Sequence, residues 1–140
     1  MTDDATLAWH RPLHHTRRED LSPDTAQTPG MQRYEAISGR RAGSRRIWMG
    51  ENRVAPRTSS ADHHHGRAET GIYVVSGRPE FVFLEDGEER RLVTKPGDYV
   101  YVPPFVPHRE ENPGDEPAVV VLARSTQEGI VVNLPSLAGP

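Results

Sequence analysis

The stretch ADHHHGRAETGIYVVSG, residues 61–77, carries three of the chain's seven histidines. Successive side chains on an extended segment point to opposite sides, so His63 and His65 share one face and His64 takes the other. Two imidazoles on one face, joined by the carboxylate of Glu69 four residues on, make three legs of a metal site. Imidazole suits Zn, Cu, Fe and Ni, and two histidines with one carboxylate and open positions suit Fe(II). A further histidine follows in GDYVYVPPFVPHREEN, residues 97–112, where Pro103, Pro104 and Pro107 fix φ in the turn and aim His108 in one direction. His10, His14 and His15 lie in a polar N-terminal stretch and read as surface residues. No phosphate-cradling glycine loop and no GxSxG turn appears. The absence of cysteine removes thiolate ligands, disulfides and a cysteine nucleophile.

The elements that must position these histidines are short. The 140 residues suffice for one core, and 12 Gly with 13 Pro punctuate them too heavily for long helices. Strand signals run through 32–38, 45–54, 70–77, 78–87 and 88–94, with Asp86-Gly87 as a hairpin turn between the last two. They continue through 98–103, 108–112, 117–125 and 129–134, and a break in the 45–54 strand is expected at Gly50. About nine short strands and no amphipathic helix of ten residues predict an all-β sandwich or barrel. Residues 1–30 are polar, without periodicity, and read as an extended arm, either flexible or swapped onto a partner subunit.

Charge narrows the partners. A formal net charge of -3 argues against nucleic acid, and no apolar run is long enough to span a membrane. The N-terminus lacks a secretory apolar stretch, so the expectation is a cytoplasmic protein. Residues 32–57 hold seven arginines against two glutamates, whereas 80–116 hold ten acids against four bases. Two complementary solvated faces would explain this; an arginine beside the pocket, pairing with an anionic substrate group, is the functional alternative.

Together the two histidine stretches resemble the paired motifs of the cupin superfamily, small barrels of jelly-roll topology. His63-x-His65, Glu69 and Gly77 follow the first motif; Gly97, Pro103, His108 and Asn112 follow the second. The resemblance implies a single all-β cupin jelly-roll barrel over residues 31–140, with motifs at 63–77 and 97–112 and the arm at 1–30. It implies one divalent transition metal (Fe, Mn, Zn or Ni) held by His63, His65, Glu69 and His108 inside the barrel. Trp48, Tyr73, Phe81, Phe83, Tyr101 and Phe105 are candidate pocket residues; Gly77, Gly97, Pro103 and Asn112 are structural positions. Three departures from the pattern stand out. Arg57 and Phe105 occupy positions where the motifs have glycine, and Glu69 lies one residue too far from Gly77. Counting back from Gly77 the ligand position falls on Thr70, and one residue flips a side chain to the other face. Either a bulge near Gly71 turns Glu69 inward, or the histidines hold the metal alone. The implied activity is metal-dependent chemistry on a small organic substrate, aromatic or polyketide-like compounds included, by oxygenation, cyclisation or isomerisation. A non-catalytic binding or sensing barrel is the alternative, and a homodimer is expected.

Overall fold

The structure is a computed structural model that describes residues 11–127 and 130–140. Among the described residues eleven strands form two antiparallel sheets. The first sheet has the order β1-β2-β10-β5-β8, with β1 Gln32–Ile37, β2 Trp48–Val54, β10 Ala118–Arg124, β5 Thr70–Ser76 and β8 Tyr99–Val102. The second has the order β11-β4-β9-β6-β7, with β11 Val132–Asn133, β4 His63–His64, β9 His108–Asn112, β6 Glu80–Glu85 and β7 Glu88–Val93; β3 Thr58–Ser59 also pairs with β9. This is the all-β jelly-roll barrel that the strand pattern and the motifs predict. β2 runs unbroken through Gly50, because the indole of Trp48 and the backbone of Tyr34 fill the space a side chain there would need. The Gly/Arg-rich segment after β1 is a one-turn helix, Gly39–Ala42, capped by the Ser38 side chain.

Period-two alternation explains how the sheets close on each other. β2, β9 and β10 each alternate buried and partly buried residues along their whole length. The apolar part of the interior is Trp48, Ile72, Val74, Phe81, Val102, Val120 and Leu122, contributed mainly by the first sheet. Other inward positions are polar, among them Arg33, Asn52, His63, Thr70, His108, Glu110 and Arg124. Both motif glycines work as backbone devices. Gly77 has φ +77 and lies so close to Ala118 that a Cβ would collide with it, and Gly97 has φ +97 in the tight turn before β8.

The segment before the barrel is seated on this chain's own β1. Ser22 and Glu35 exchange backbone hydrogen bonds, and the Gln27 amide brackets the backbone of Arg33 from both sides. Thr16 Oγ1 donates to Ala36 O. Residues 1–10, with His10 among them, lie outside the described residues. The charge-rich stretches neutralise themselves mostly within their own neighbourhood. Arg91 and Arg109 bridge Glu80, Glu89, Glu111 and Asp62, while Arg57–Asp115 links the basic stretch to the acidic one.

Candidate metal centre

His63 and His108 face each other directly across the β4–β9 ladder, and His65 follows two residues after His63 on the same face. All three are buried, and one ring nitrogen of each lies within 4.8 Å of the others. His64 points away from the cluster and accepts from the Gly66 N–H, as the alternation predicts.

Each ring is oriented by a backbone carbonyl. His63 Nδ1 bonds Ala61 O at 2.8 Å, His108 Nδ1 bonds Val106 O at 3.0 Å, and His65 Nδ1 bonds Ile130 O at 3.1 Å. A carbonyl only accepts, so Nδ1 carries the proton in every case and the Nε2 lone pairs remain as donors to a metal, that of His63 accepting from Arg33 Nη2 in this structure. Burial is the largest cause pushing all three histidines down, His63 to about 2 and His108 to about 4, with further positive charge nearby acting the same way. The rings are therefore neutral at physiological pH, the form a metal needs. Three convergent, neutral, pre-oriented imidazoles fit a transition metal.

Glu69 does not join them. It is exposed at the barrel exterior, where Tyr101 Oη donates to Glu69 Oε1 at 2.7 Å. The reason is pleat. β5 begins at Thr70 and buries Thr70, Ile72 and Val74, in unbroken register with β10 from Arg124↔Thr70 to Val120↔Val74. The bulge that could have turned Glu69 inward is not at Gly71; the register shift comes later, between the Val74 and Ser76 pairings. Thr70 occupies the inward position instead, wholly buried, with an Oγ1 that has no hydrogen-bond partner among the described residues.

The aromatic expectations divide. A largely apolar cavity of about 280 Å3 opens at the seam between edge strands β7 and β8 and ends at His108; Phe81, Phe83 and Tyr101 line it with Leu92, Val102 and Val106. Trp48, Tyr73 and Phe105 do not. Trp48 is fully buried in the core, where its Nε1–H donates to Glu35 at 3.1 Å. Tyr73 packs on Tyr99 on the outer face, and Phe105 lies on the surface near His64. Asn112 donates from Nδ2 to the carbonyls of Val54, Ala55 and Glu116 and accepts from Gly114 N, tying the loop after β2 to that after β9.

Several interior residues were not singled out from sequence. Arg33 and Arg124 are buried beside the histidines, and Glu110 is buried two residues from His108. Arg33 Nη2 donates to His63 Nε2 at 3.3 Å, and Nη1 donates to Thr28 Oγ1 at 2.7 Å. Arg124 lies 3.9 Å over the Trp48 ring and donates to Ile130 O at 3.3 Å. Burial lowers Arg33 to about 10 and Arg124 to about 9, so both remain cations at neutral pH. Burial pushes Glu110 up to about 8 against the pull of Arg33. Strand phase was the available signal: Arg124 is in step with Val120 and Leu122, and Glu110 with His108.

A two-sheet β-barrel closing on three convergent buried imidazoles defines a jelly-roll protein with a candidate metal centre. The chain belongs to the Cupin domain family, whose sequence profile matches residues 50–124. Oxalate decarboxylase from Bacillus subtilis has the same fold, with a TM-score of 0.69 and 27% identity over 79% of this chain and 29% of that one. Another structure of that enzyme, concerned with its Mn(II) centres, aligns at 28% identity and a TM-score of 0.69 over 81% of this chain and 30% of that one. A glucose-6-phosphate isomerase from Pyrococcus abyssi is 37% identical over 60 residues, which is 41% of this chain and 32% of that protein. The chain thus spans about a third of the length of these relatives. Among the described residues no helix is long and apolar enough to cross a membrane.

Proposed function

We propose that this chain is a metal-dependent enzyme acting on a small organic substrate, with His63, His65 and His108 as the metal ligands. The observation that carries this reading is the convergence of three buried imidazoles, one ring nitrogen of each within 4.8 Å of the others and each Nδ1 anchored on a carbonyl. A divalent transition metal (Fe, Mn, Zn or Ni) held there would supply Lewis-acid polarisation of a substrate oxygen or redox chemistry toward O2. The apolar walls of Phe81, Phe83 and Val106 receive the hydrocarbon or aromatic part of the substrate and exclude water from its approach to His108. A volume of about 280 Å3 sits at the lower end for ligand pockets, which limits the substrate to a small molecule. The likeness to oxalate decarboxylases and to an isomerase supports catalysis rather than storage.

The test is elemental analysis of natively purified protein. Close to one transition metal per chain is expected, lost in His63→Ala and in His108→Ala; equal trace metal in all three proteins would refute the site. A non-catalytic binding barrel is favoured by one observation, Thr70 where a fourth ligand is expected, and it predicts metal and ligand binding without turnover. The expected homodimer finds support in the apolar outer face of the first sheet, where Tyr73, Val75 and Tyr99 are exposed. Size-exclusion chromatography should return a dimer that survives removal of residues 1–30, and a monomer at all concentrations would remove that expectation.

A further inference from the structure

The histidine centre is in contact with one of the protein's own cations. Arg33 Nη2 lies 3.3 Å from His63 Nε2, the ring nitrogen left as an acceptor by the Nδ1 bond to Ala61 O. The rest of Arg33 is held: Nη1 donates to Thr28 Oγ1 at 2.7 Å, and the Gln27 amide brackets the backbone. Arg33 Nε has no hydrogen-bond partner among the described residues. Arg33 therefore uses one donor on a lone pair that a metal would need and leaves another unused. On the opposite sheet Glu110 is the reverse case. Ser60 clamps its backbone, accepting from Glu110 N at 2.9 Å and donating to Glu110 O at 2.8 Å. Its side chain is buried, with Oε2 unpartnered among the described residues. Each of the two groups is the charge that acts on the other, yet they form no ion pair among the described residues. A buried carboxyl and a buried guanidinium, neighbouring and each with a hydrogen bond unmade, is a costly arrangement.

We infer that Arg33 and Glu110 form a latch that sets metal affinity. Arg33 holds His63 Nε2 in the metal-free protein and turns to the Glu110 carboxylate when the histidines take a metal. This rests on the metal reading above and deepens it, by naming the residue that must move for the centre to load. An imidazole nitrogen has one lone pair, which serves either a guanidinium N–H or a metal. A divalent ion also repels a guanidinium at that range and favours the ionised form of a neighbouring carboxyl. Both effects push the same way, since Arg33 loses its acceptor as Glu110 becomes a better one. A rival acceptor exists: Asn52 Oδ1, across the β1–β2 ladder from Arg33, is buried and also unpartnered among the described residues. A carboxylate accepts from guanidinium more strongly than an amide oxygen does, so Glu110 is the destination. Arg33 then weakens the hold on metal, and Glu110 strengthens it by acting through Arg33.

The test is a zinc titration of the full chain against a chromogenic chelator, at one pH and ionic strength, with folding checked by circular dichroism. Arg33→Met should bind zinc about tenfold more tightly than the wild type, and Glu110→Gln about tenfold more weakly. In the Arg33→Met background, Glu110→Gln should change zinc affinity by less than about twofold, because its partner is gone. Effects that simply add would mean that Glu110 acts on the metal by charge alone, and would overturn the latch. Crystal structures of the wild type, metal-free and zinc-loaded, decide the same point without any variant. The guanidinium should leave His63 Nε2 for Glu110; an unmoved Arg33, or one turned to Asn52 Oδ1, would overturn the inference. Zinc bound equally by wild type and Arg33→Met overturns the latch and leaves the metal reading standing. Zinc bound by neither refutes both.

Discussion

The two sheets furnish the same interior with opposite materials. The second sheet contributes His63 and His108, with His65 just beyond β4, and fixes two of these rings through carbonyls only two residues away in sequence. The first sheet contributes Arg33, Arg124 and Thr70: Arg33 is held by Thr28 five residues away, Arg124 by Ile130 six residues away and by the Trp48 ring, and Thr70 Oγ1 has no partner among the described residues. One wall is therefore neutral and electron-donating, with every ring anchored on a carbonyl; the other is cationic, with guanidinium nitrogens left unpartnered among the described residues. Ligand geometry should be robust to changes in the first sheet, while charge balance should be sensitive to them.

That contrast is tested most severely by removing ligands. His63→Ala or His108→Ala should reduce bound metal to a tenth or less, whereas Glu69→Gln on the exterior should leave it unchanged. Metal lost from Glu69→Gln would break the division between the walls.

The next largest effect is expected from pH, in the metal-free protein. Each histidine has a folded-state pKa below its ordinary 6.5, so below pH 6.5 the unfolded chain binds protons that the folded chain refuses, and stability falls as pH falls toward 4. Each such proton contributes a slope of about 1.4 kcal/mol per pH unit. Glu110 has the opposite sign: raised from 4.5 to about 8, it stabilises the protonated fold and loses that contribution as pH rises from 4.5 to 8. Three histidines outweigh one glutamate below 6.5, so urea unfolding should show stability rising from pH 4.5 to 6.5 and declining gently to 8. Glu110→Gln should abolish the decline. A profile flat from 4.5 to 6.5 would show that the imidazoles are not buried neutral.

Smaller effects probe the first sheet. Thr70→Val removes an unsatisfied buried hydroxyl at nearly constant shape, and should stabilise the metal-free protein by about 1 kcal/mol in thermal or urea unfolding. A loss of stability would mean that the hydroxyl has a partner in solution. The smallest effect concerns the loop before His108. Phe105 holds φ 64, a conformation costing a residue with a side chain about 1–2 kcal/mol. Phe105→Gly should be neutral within about 1 kcal/mol, while Phe105→Val should destabilise and disturb His108.

Much of this was legible in the chain because period two is a strong signal. Nine of the strands and the shared face of His63 and His65 follow from alternation and the turns from Gly, Pro and Asp86-Gly87, whereas β3 and β4, two residues each, are too short to show a period. Two positions were harder. Glu69 is the right residue type at a permitted spacing, and only the pairing register of Thr70 with Arg124 shows that it faces outward. Arg33 sits in QRYEAI, where both faces of the strand carry polar residues, so nothing marks the inward one. Arg57 and Phe105 teach the converse: where the motifs have glycine, both adopt positive φ, 54 and 64, so the backbone shape outlasts the residue type that ordinarily permits it.

One oxygen links the two walls. The carbonyl of Ile130 accepts both from His65 Nδ1 and from Arg124 Nη1. A displacement of that carbonyl would turn the His65 ring and the Arg124 guanidinium together. The orientation of the His65 imidazole and that of the Arg124 guanidinium are thus set by one peptide unit. The short segment leading into β11 is, in that sense, the balance arm between them.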